Sequence, residues 1–126
     1  MSLRDLYAEK YKSANKLLDE YEIKRTKGEE FNSCELEDAL FKIVERQPPH
    51  EKIYKIMDEH ILQNEKNTDE IMDIFNNELN EDLQFITIEL LKLSCRFQIV
   101  YNKSINTKFL NNVTKLIEMM EKSKKY

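Results

Sequence analysis

Residues 83–101 read LQFITIELLKLSCRFQIVY, and this stretch decides the fold class. Twelve of its nineteen residues are apolar, and its only charges are Glu89, Lys92 and Arg96. At 100° per residue these charges fall in one strip about 60° wide, so the helix is apolar nearly all round. A helix of this kind must be surrounded by other helices. We therefore expect an all-α fold with residues 83–101 as its central helix and the charge strip as its face toward solvent.

Glycine and proline are scarce in the rest of the chain. Gly28 is the only glycine, and Pro48 and Pro49 are the only prolines. Sandwiches and barrels need many turns and therefore more of these residues, whereas a charged content of 35% favours helices. A single glycine also excludes the glycine-rich loops of nucleotide-binding and hydrolase motifs. The length of 126 residues is that of one domain.

The spacing of apolar residues predicts six helices. Residues 1–27 form a long amphipathic N-terminal helix, residues 28–33 form a linker, and residues 34–126 form a helical domain of about five helices. Asn32 is the expected cap of the second helix, and Asn80 or Asp82 that of the central helix. The loops after the second helix are short, so successive helices should be antiparallel. These features are typical of either a right-handed superhelical stack or an up-down helical bundle.

The net charge of −4 conceals an uneven distribution of charge along the chain. Residues 35–82 carry fourteen acidic and five basic residues, whereas residues 83–126 carry three acidic and eight basic ones. The two regions either attract each other within one fold, or form patches for two partners or for head-to-tail self-contact. A nucleic-acid-binding protein would show a stronger basic excess with interleaved aromatic residues, so the pattern disfavours nucleic acid.

The potentially reactive side chains do not form a catalytic or metal-binding pattern. His50 and His60 are ten residues apart in one predicted helix and do not share a face. Ser94 and Cys95 lie in the central helix without a base or an orienting group beside them. We therefore predict that the protein is not an enzyme and uses no metal and no cofactor.

The apolar runs and the cysteines indicate where the protein acts. No run reaches the roughly 18 to 20 residues of a transmembrane helix, and the N-terminus lacks the pattern of a secretory signal. Cys34 and Cys95 are far apart and lack the C-x-x-C spacing. These features predict a cytoplasmic protein with reduced thiols and no transmembrane segment.

The first helix carries a tyrosine-rich stripe that is the best binding site predicted from the pattern alone. Tyr7, Tyr11 and Leu18 lie on one face over three turns. The stripe either packs against the other helices of the chain or docks on a partner or on a second copy. Both alternatives stay open at the level of sequence.

Three segments resemble a known family in their order and apolar spacing. They are the step Ile56-Met57-Asp58, the apolar run ITIELLKLSC at residues 86–95 and TKFLNNVTKLI at residues 107–117. Over residues 35–120 the chain thereby resembles the VHS domain of the ENTH/VHS superfamily, although its long first helix has no counterpart in the family pattern. The resemblance implies a right-handed helical stack and a non-enzymatic, adaptor-like protein-interaction module in cytoplasmic membrane-protein traffic.

The resemblance also implies a partner. VHS domains commonly bind ubiquitin weakly through their second helix, and the corresponding positions here are His50 and Tyr54, with Met57 close by in sequence. The alternative function is that of a structural or assembly subunit that forms homo-oligomers through residues 1–27.

Overall fold

Helices account for nearly all of the described chain. The computed structural model describes residues 2–44, 50–53, 55–56, 68–101 and 107–126. The helices are α1 (Leu3–Thr26), α2 (Ser33–Val44), α3 (Thr68–Glu78), α4 (Glu81–Tyr101) and α5 (Thr107–Ser123). Residues 51–53 and 55–56 are also helical, and the described ranges contain no β-strand. The predicted all-α class is therefore confirmed, whereas the superhelical stack and the up-down bundle stay predictions.

Short polar side chains fix the starts of three helices, because the first backbone N–H groups of a helix have no partner within it. In each case a side-chain oxygen accepts a hydrogen bond from a backbone N–H. Ser2 accepts from Asp5 at 3.1 Å, Asn32 from Cys34 at 2.8 Å and Asn80 from Leu83 at 2.9 Å. The predicted caps at Asn32 and Asn80 are thus confirmed.

The end of α1 depends on the single glycine of the chain. Gly28 has a φ of +75°, a left-handed conformation that is strained for residues with a Cβ atom. In this turn the Gly28 N–H donates to the Arg25 carbonyl at 3.0 Å, and the Glu29 N–H donates to the Lys24 carbonyl at 2.9 Å. This pair of hydrogen bonds is the Schellman motif, which satisfies the last carbonyl groups of a helix.

The chain divides into two compact units that alternate along the sequence. The first unit comprises residues 1–46 and 93–105, and the second comprises residues 47–92 and 106–126. In the first unit α1 packs on α2, and in the second unit α3 packs on α5. Helix α4 is common to both units, since it changes from the second to the first after Lys92.

This division differs from the predicted one. The sequence set the N-terminal helix apart from a domain at residues 34–126, whereas the first unit joins α1 to α2. The reason is that α1 packs on α2, and the apolar face of α2 includes the fully buried Leu36. Among the helices that the structure describes, none combines the length and the hydropathy needed to cross a lipid bilayer.

Each unit has its own set of buried side chains. In the first unit the buried residues are Tyr7, Tyr11, Ala14, Leu18, Tyr21, Leu36, Val44, Leu93 and Val100. The larger core of the second unit includes Ile53, Ile56, Ile71, Met72, Ile74, Phe75, Leu79, Leu83, Ile86, Ile88, Leu91, Val113, Leu116 and Met120. Burial of apolar surface on this scale is the main stabilising contribution in both units.

Gln84 is one of two polar residues, with Thr87, that are fully buried in the second unit. Its Nε2 donates to the Phe75 carbonyl at 2.8 Å, and its Oε1 accepts from the Lys125 N–H at 2.9 Å. A buried amide is stable only when such partners replace water. Gln84 therefore attaches the residues that follow α5 to the core. Tyr126 also packs edge-on against the Phe85 ring, with centroids 6.0 Å apart.

Candidate functional site

The charge strip of α4 connects this helix to a different neighbour in each unit. In the first unit the Arg96 guanidinium donates to the Asn15 carbonyl at 3.0 Å and to the Asn15 side-chain oxygen at 2.9 Å. It also forms ion pairs with Asp19 and, at 3.2 Å, with Glu22. Partial burial by itself would lower the pKa of Arg96, but the bonds and charges of Asp19 and Glu22 outweigh it and raise that pKa. Arg96 therefore attaches α4 to α1 as a permanent cation.

In the second unit Lys92 connects α4 to α5. Its ammonium lies 3.2 Å from the Glu121 carboxylate of α5 and 3.5 Å from Glu89. Burial opposes the charge of Lys92, yet the carboxylates of Glu121 and Glu89 raise its pKa. Glu121 also bonds Lys124 at 2.8 Å, and chiefly this bond, together with Lys92, lowers the pKa of Glu121 against the opposing effect of burial.

These contacts modify the prediction that the strip is a solvent face. Lys92 is exposed, but Glu89 and Arg96 are half-buried, and all three take part in ion pairs. The strip therefore joins helices rather than only facing water. The sequence of α4 alone could not show this, because the acidic partners lie on other helices.

The predicted tyrosine stripe lies in the core of the first unit. Tyr7 and Tyr11 are buried, with ring centroids 5.8 Å apart, and Leu18 is fully buried. The Lys10 ammonium lies 5.1 Å from the centre of the Tyr7 ring. Of the two alternatives for this stripe, the structure has the side chains packed within the chain, so they do not form an exposed docking surface.

The residues predicted to contact ubiquitin are only partly described. His50 is half-buried, and its Nδ1 accepts a hydrogen bond from the Lys52 N–H at 3.1 Å. Tyr54 and Met57 lie outside the described residues. Among the residues that the structure describes, the predicted partner-binding side chains do not form one exposed surface.

The serine and cysteine side chains with potential reactivity lie in α2 and α4. Burial raises the pKa of the Cys95 thiol, and both Cys95 and Ser94 are half-buried in α4. Cys34 is exposed at the start of α2, and both cysteines are free thiols. Within the described ranges, no three histidine, cysteine or acidic side chains cluster in a way that could hold a metal ion.

Exposed apolar residues gather where α1 and α4 end in the first unit. Ile23 of α1 is 55% exposed, and Ile99 and Tyr101 of α4 are 42% and 39% exposed. The Tyr101 ring stacks on Phe97 with centroids 5.2 Å apart. We call Ile23, Ile99 and Tyr101 the α1–α4 surface. Such a group of exposed large apolar side chains is a candidate binding site.

Three adjoining grooves run through this surface. Grooves of about 460 Å³ and 340 Å³ share Glu22 and Thr26 as lining residues, and each contains one of the exposed isoleucines. A third groove of about 550 Å³ shares Arg25 with the second and continues past Tyr101.

A hydrogen bond joins the two sides of these grooves. The Arg25 guanidinium donates to the Ile99 carbonyl, and so attaches the end of α1 to the last turn of α4. Phe31, in the wall of the third groove, packs edge-on against Tyr21 with centroids 5.0 Å apart. The grooves are therefore preformed by α1, by the turn that follows it and by α4, and they can accept apolar side chains of a partner.

The sequence contained one signal for this surface. Ile23 lies about 140° around α1 from Leu18, so it is an apolar residue away from the buried stripe. Ile99 gave no comparable signal, because it lies in a helix that is apolar on most sides. The comparison of the chain with protein-family models, curated proteins and solved structures finds no match.

Proposed function

We propose that this chain is a non-enzymatic protein-interaction module, adaptor-like in character, that acts in the cytoplasm and binds a partner protein at the α1–α4 surface. The observation that supports the proposal is the exposure of Ile23, Ile99 and Tyr101 beside preformed grooves. Interfaces are centred on apolar and aromatic anchors that are surrounded by polar groups. Here Glu22 and Arg25 supply such polar groups along the grooves.

The partner chemistry that fits is a short apolar segment with one or two projecting side chains. Each groove is small, and a flat, extended contact would leave the grooves unfilled. Side chains such as Leu or Phe inserted into separate grooves are the usual means by which an amphipathic helix is recognised.

The test compares variants of exposed apolar residues in the two units. Ile23→Ser with Ile99→Ser removes the apolar anchors, and Met119→Ser changes a residue of similar exposure, 41%, in the second unit. We expect that some proteins of a cell extract are retained by the wild-type chain and by Met119→Ser but are lost with the double variant. Binding of each candidate, purified, is then measured by calorimetry. A set of retained proteins that is identical for all three chains would contradict the proposal.

A finer form of the proposal is a VHS-like adaptor of membrane-protein traffic that binds ubiquitin weakly. It is supported only by the sequence resemblance over residues 35–120, with His50, Tyr54 and Met57 as the expected contacts. Titration of ubiquitin into isotope-labelled protein should shift the resonances of these three residues. Their failure to shift at saturating ubiquitin would remove this finer form and leave the α1–α4 surface unaffected.

The alternative of an assembly subunit that oligomerises through α1 has one specific observation in its favour. Leu3 and Leu6, in the first two turns, are exposed although the tyrosine stripe is buried. Removal of the whole helix would expose the core face of α2, so the cleaner test is Leu3→Ser with Leu6→Ser. Light scattering should then show a loss of oligomers relative to the wild type, and an unchanged mass would exclude α1 as the contact.

A further inference from the structure

Helix α5 has a lysine face. Lys108, Lys115 and Lys122 follow one another at seven-residue intervals and are exposed, whereas Val113, Leu116 and Met120 are buried. Seven residues make two turns, so the lysines lie in one row with a rise of about 10.5 Å between neighbours. Met119 is exposed on the same side of the helix.

Helix α3, in the same unit, has an acidic face. Asp69, Glu70 and Asp73 are exposed within its first two turns. Glu70 forms an ion pair with Lys55 at 3.3 Å, and Asp73 accepts a hydrogen bond from the Asn77 amide at 2.7 Å. Asp69 and Asp73 thus form an acidic strip one turn long that faces outward from the core.

Four of the charges on the two faces form no ion pair within the described chain. Lys92 and Lys124 pair with Glu121, but among the described residues no ion pair involves Lys115 or Lys122. The same holds for Asp69 and Asp73 in that part of the chain. One compact unit therefore presents a basic row and an acidic strip on two different helices, α5 and α3.

We propose that the second unit associates with further copies of this chain head to tail, with the lysine face of one copy on the acidic face of the next. Charge complementarity favours a second copy as the partner, because one molecule carries both halves of the contact. The two faces differ, so the interface is heterologous and leads to chains of molecules unless the rotation closes a ring. Met119 supplies the apolar contact beside the lysines. The faces share no residue with the α1–α4 surface.

The association should be weak and sensitive to salt, because its charges lie at the surface. Sedimentation velocity of the full chain should show association that depends on concentration at low ionic strength. An increase in salt from about 20 mM to about 300 mM should weaken the apparent affinity at least about tenfold, because the screening length falls severalfold. A wild-type chain that stays monomeric at the highest soluble concentration and low salt would overturn the proposal.

Charge reversal identifies the faces. Lys115→Glu with Lys122→Glu, and separately Asp69→Lys with Asp73→Lys, should each abolish self-association. An equimolar mixture of the two variants should associate again, since each supplies the face that the other lacks. Lys12→Glu with Lys16→Glu changes the net charge of exposed α1 positions by the same amount and is the matched control, which should still associate.

Two results would point away from a second copy. If the mixture stays monomeric while far-ultraviolet circular dichroism shows both variants to be folded, the pairing of these faces is excluded. If the wild-type chain binds heparin in a manner that requires Lys115 and Lys122 but never associates with itself, the lysine face is a site for a polyanion, and the proposal of self-association fails.

Discussion

The two halves of α4 are both helical and both rich in apolar residues, yet the protein surrounds them differently. In residues 81–92 most apolar side chains are buried, and Ile86, Ile88 and Leu91 are fully so. In residues 93–101 only Leu93 and Val100 are buried. The second half is instead attached to α1 by the polar contacts of Arg96 and Arg25.

An apolar helix therefore requires neighbouring helices, but its sequence does not determine how many of them pack against it. The half in the second unit lies in a core built from several apolar helix faces, including those of α3 and α5. The half in the first unit shares its unit with α1 and α2, which leaves Ile99 and Tyr101 exposed. A group left exposed in this way is available for binding, and one that is enclosed contributes to stability.

The largest change in the free energy of unfolding is expected when the same substitution is made in each half of α4. Ile88→Ala should lower the free energy of unfolding by about 2–4 kcal/mol, because Ile88 is fully buried and its removal leaves a cavity. Ile99→Ala, at a residue that is 42% exposed, should change it by no more than about 0.5 kcal/mol. Urea unfolding followed by circular dichroism measures both. Equal costs for the two variants would mean that the halves do not differ in burial.

The next prediction concerns the buried amide of Gln84, in residues 81–92 of α4. Gln84→Leu removes the partner of both the Phe75 carbonyl and the Lys125 N–H, and should cost about 1–3 kcal/mol because buried groups lose their hydrogen bonds. The C-terminal residues should also become faster to cleave by carboxypeptidase. Asn77→Leu, which alters an exposed amide of α3, is the control and should stay within about 0.5 kcal/mol. Unchanged cleavage in Gln84→Leu would show that this amide does not hold the C-terminal residues.

A smaller effect compares the two cations of the strip. Arg96→Met should destabilise by about 1–2 kcal/mol, since the half-buried guanidinium bonds Asn15 and two carboxylates. Lys92→Met should cost less than about 1 kcal/mol, because the Lys92 ammonium is more exposed. Thermal unfolding at low and high salt measures the pair. Arg96→Lys keeps the charge but not the forked geometry, so it should restore only part of the loss.

The smallest effect is the dependence of stability on pH at Glu121. Its pKa is lower in the folded chain, so the ionised form stabilises the fold above the unfolded value of about 4.3, and this contribution disappears as the pH falls through the folded pKa. Glu121→Gln should therefore be less stable than the wild type near neutrality, by less than about 1 kcal/mol, and equal to it in strong acid. Glu118→Gln, on the same helix, is the control. A wild-type advantage that persists in strong acid would contradict the role of the carboxylate.

The sequence predicted the helices well, because their signals are local. Asn32 and Asn80 mark helix starts through hydrogen bonds that span only two or three residues. The apolar spacing placed α4 at residues 83–101, close to its observed bounds, since the buried positions repeat with the helical period.

The division into units and the α1–α4 surface could not be predicted, because both depend on long-range contacts. The partners of Arg96 at Asn15, Asp19 and Glu22 are 81, 77 and 74 residues away in sequence. Nothing in the spacing of α4 shows that its neighbours change after Lys92. The exposure of Ile99 depends on the same arrangement, and the tyrosine stripe was ambiguous because periodicity identifies an apolar face without naming what covers it.

The two thiols differ in exposure, so one of them can be labelled selectively with a fluorescent dye. Cys34 is exposed, whereas Cys95 is half-buried and has a raised pKa, so fewer Cys95 thiolates are present to react. Because the thiolate is the nucleophile, a maleimide dye added in limiting amount near neutral pH should attach at Cys34 and largely spare Cys95. A fluorophore can thus be placed at the start of α2 in the unmutated chain, and its anisotropy would report complex formation without any engineered residue.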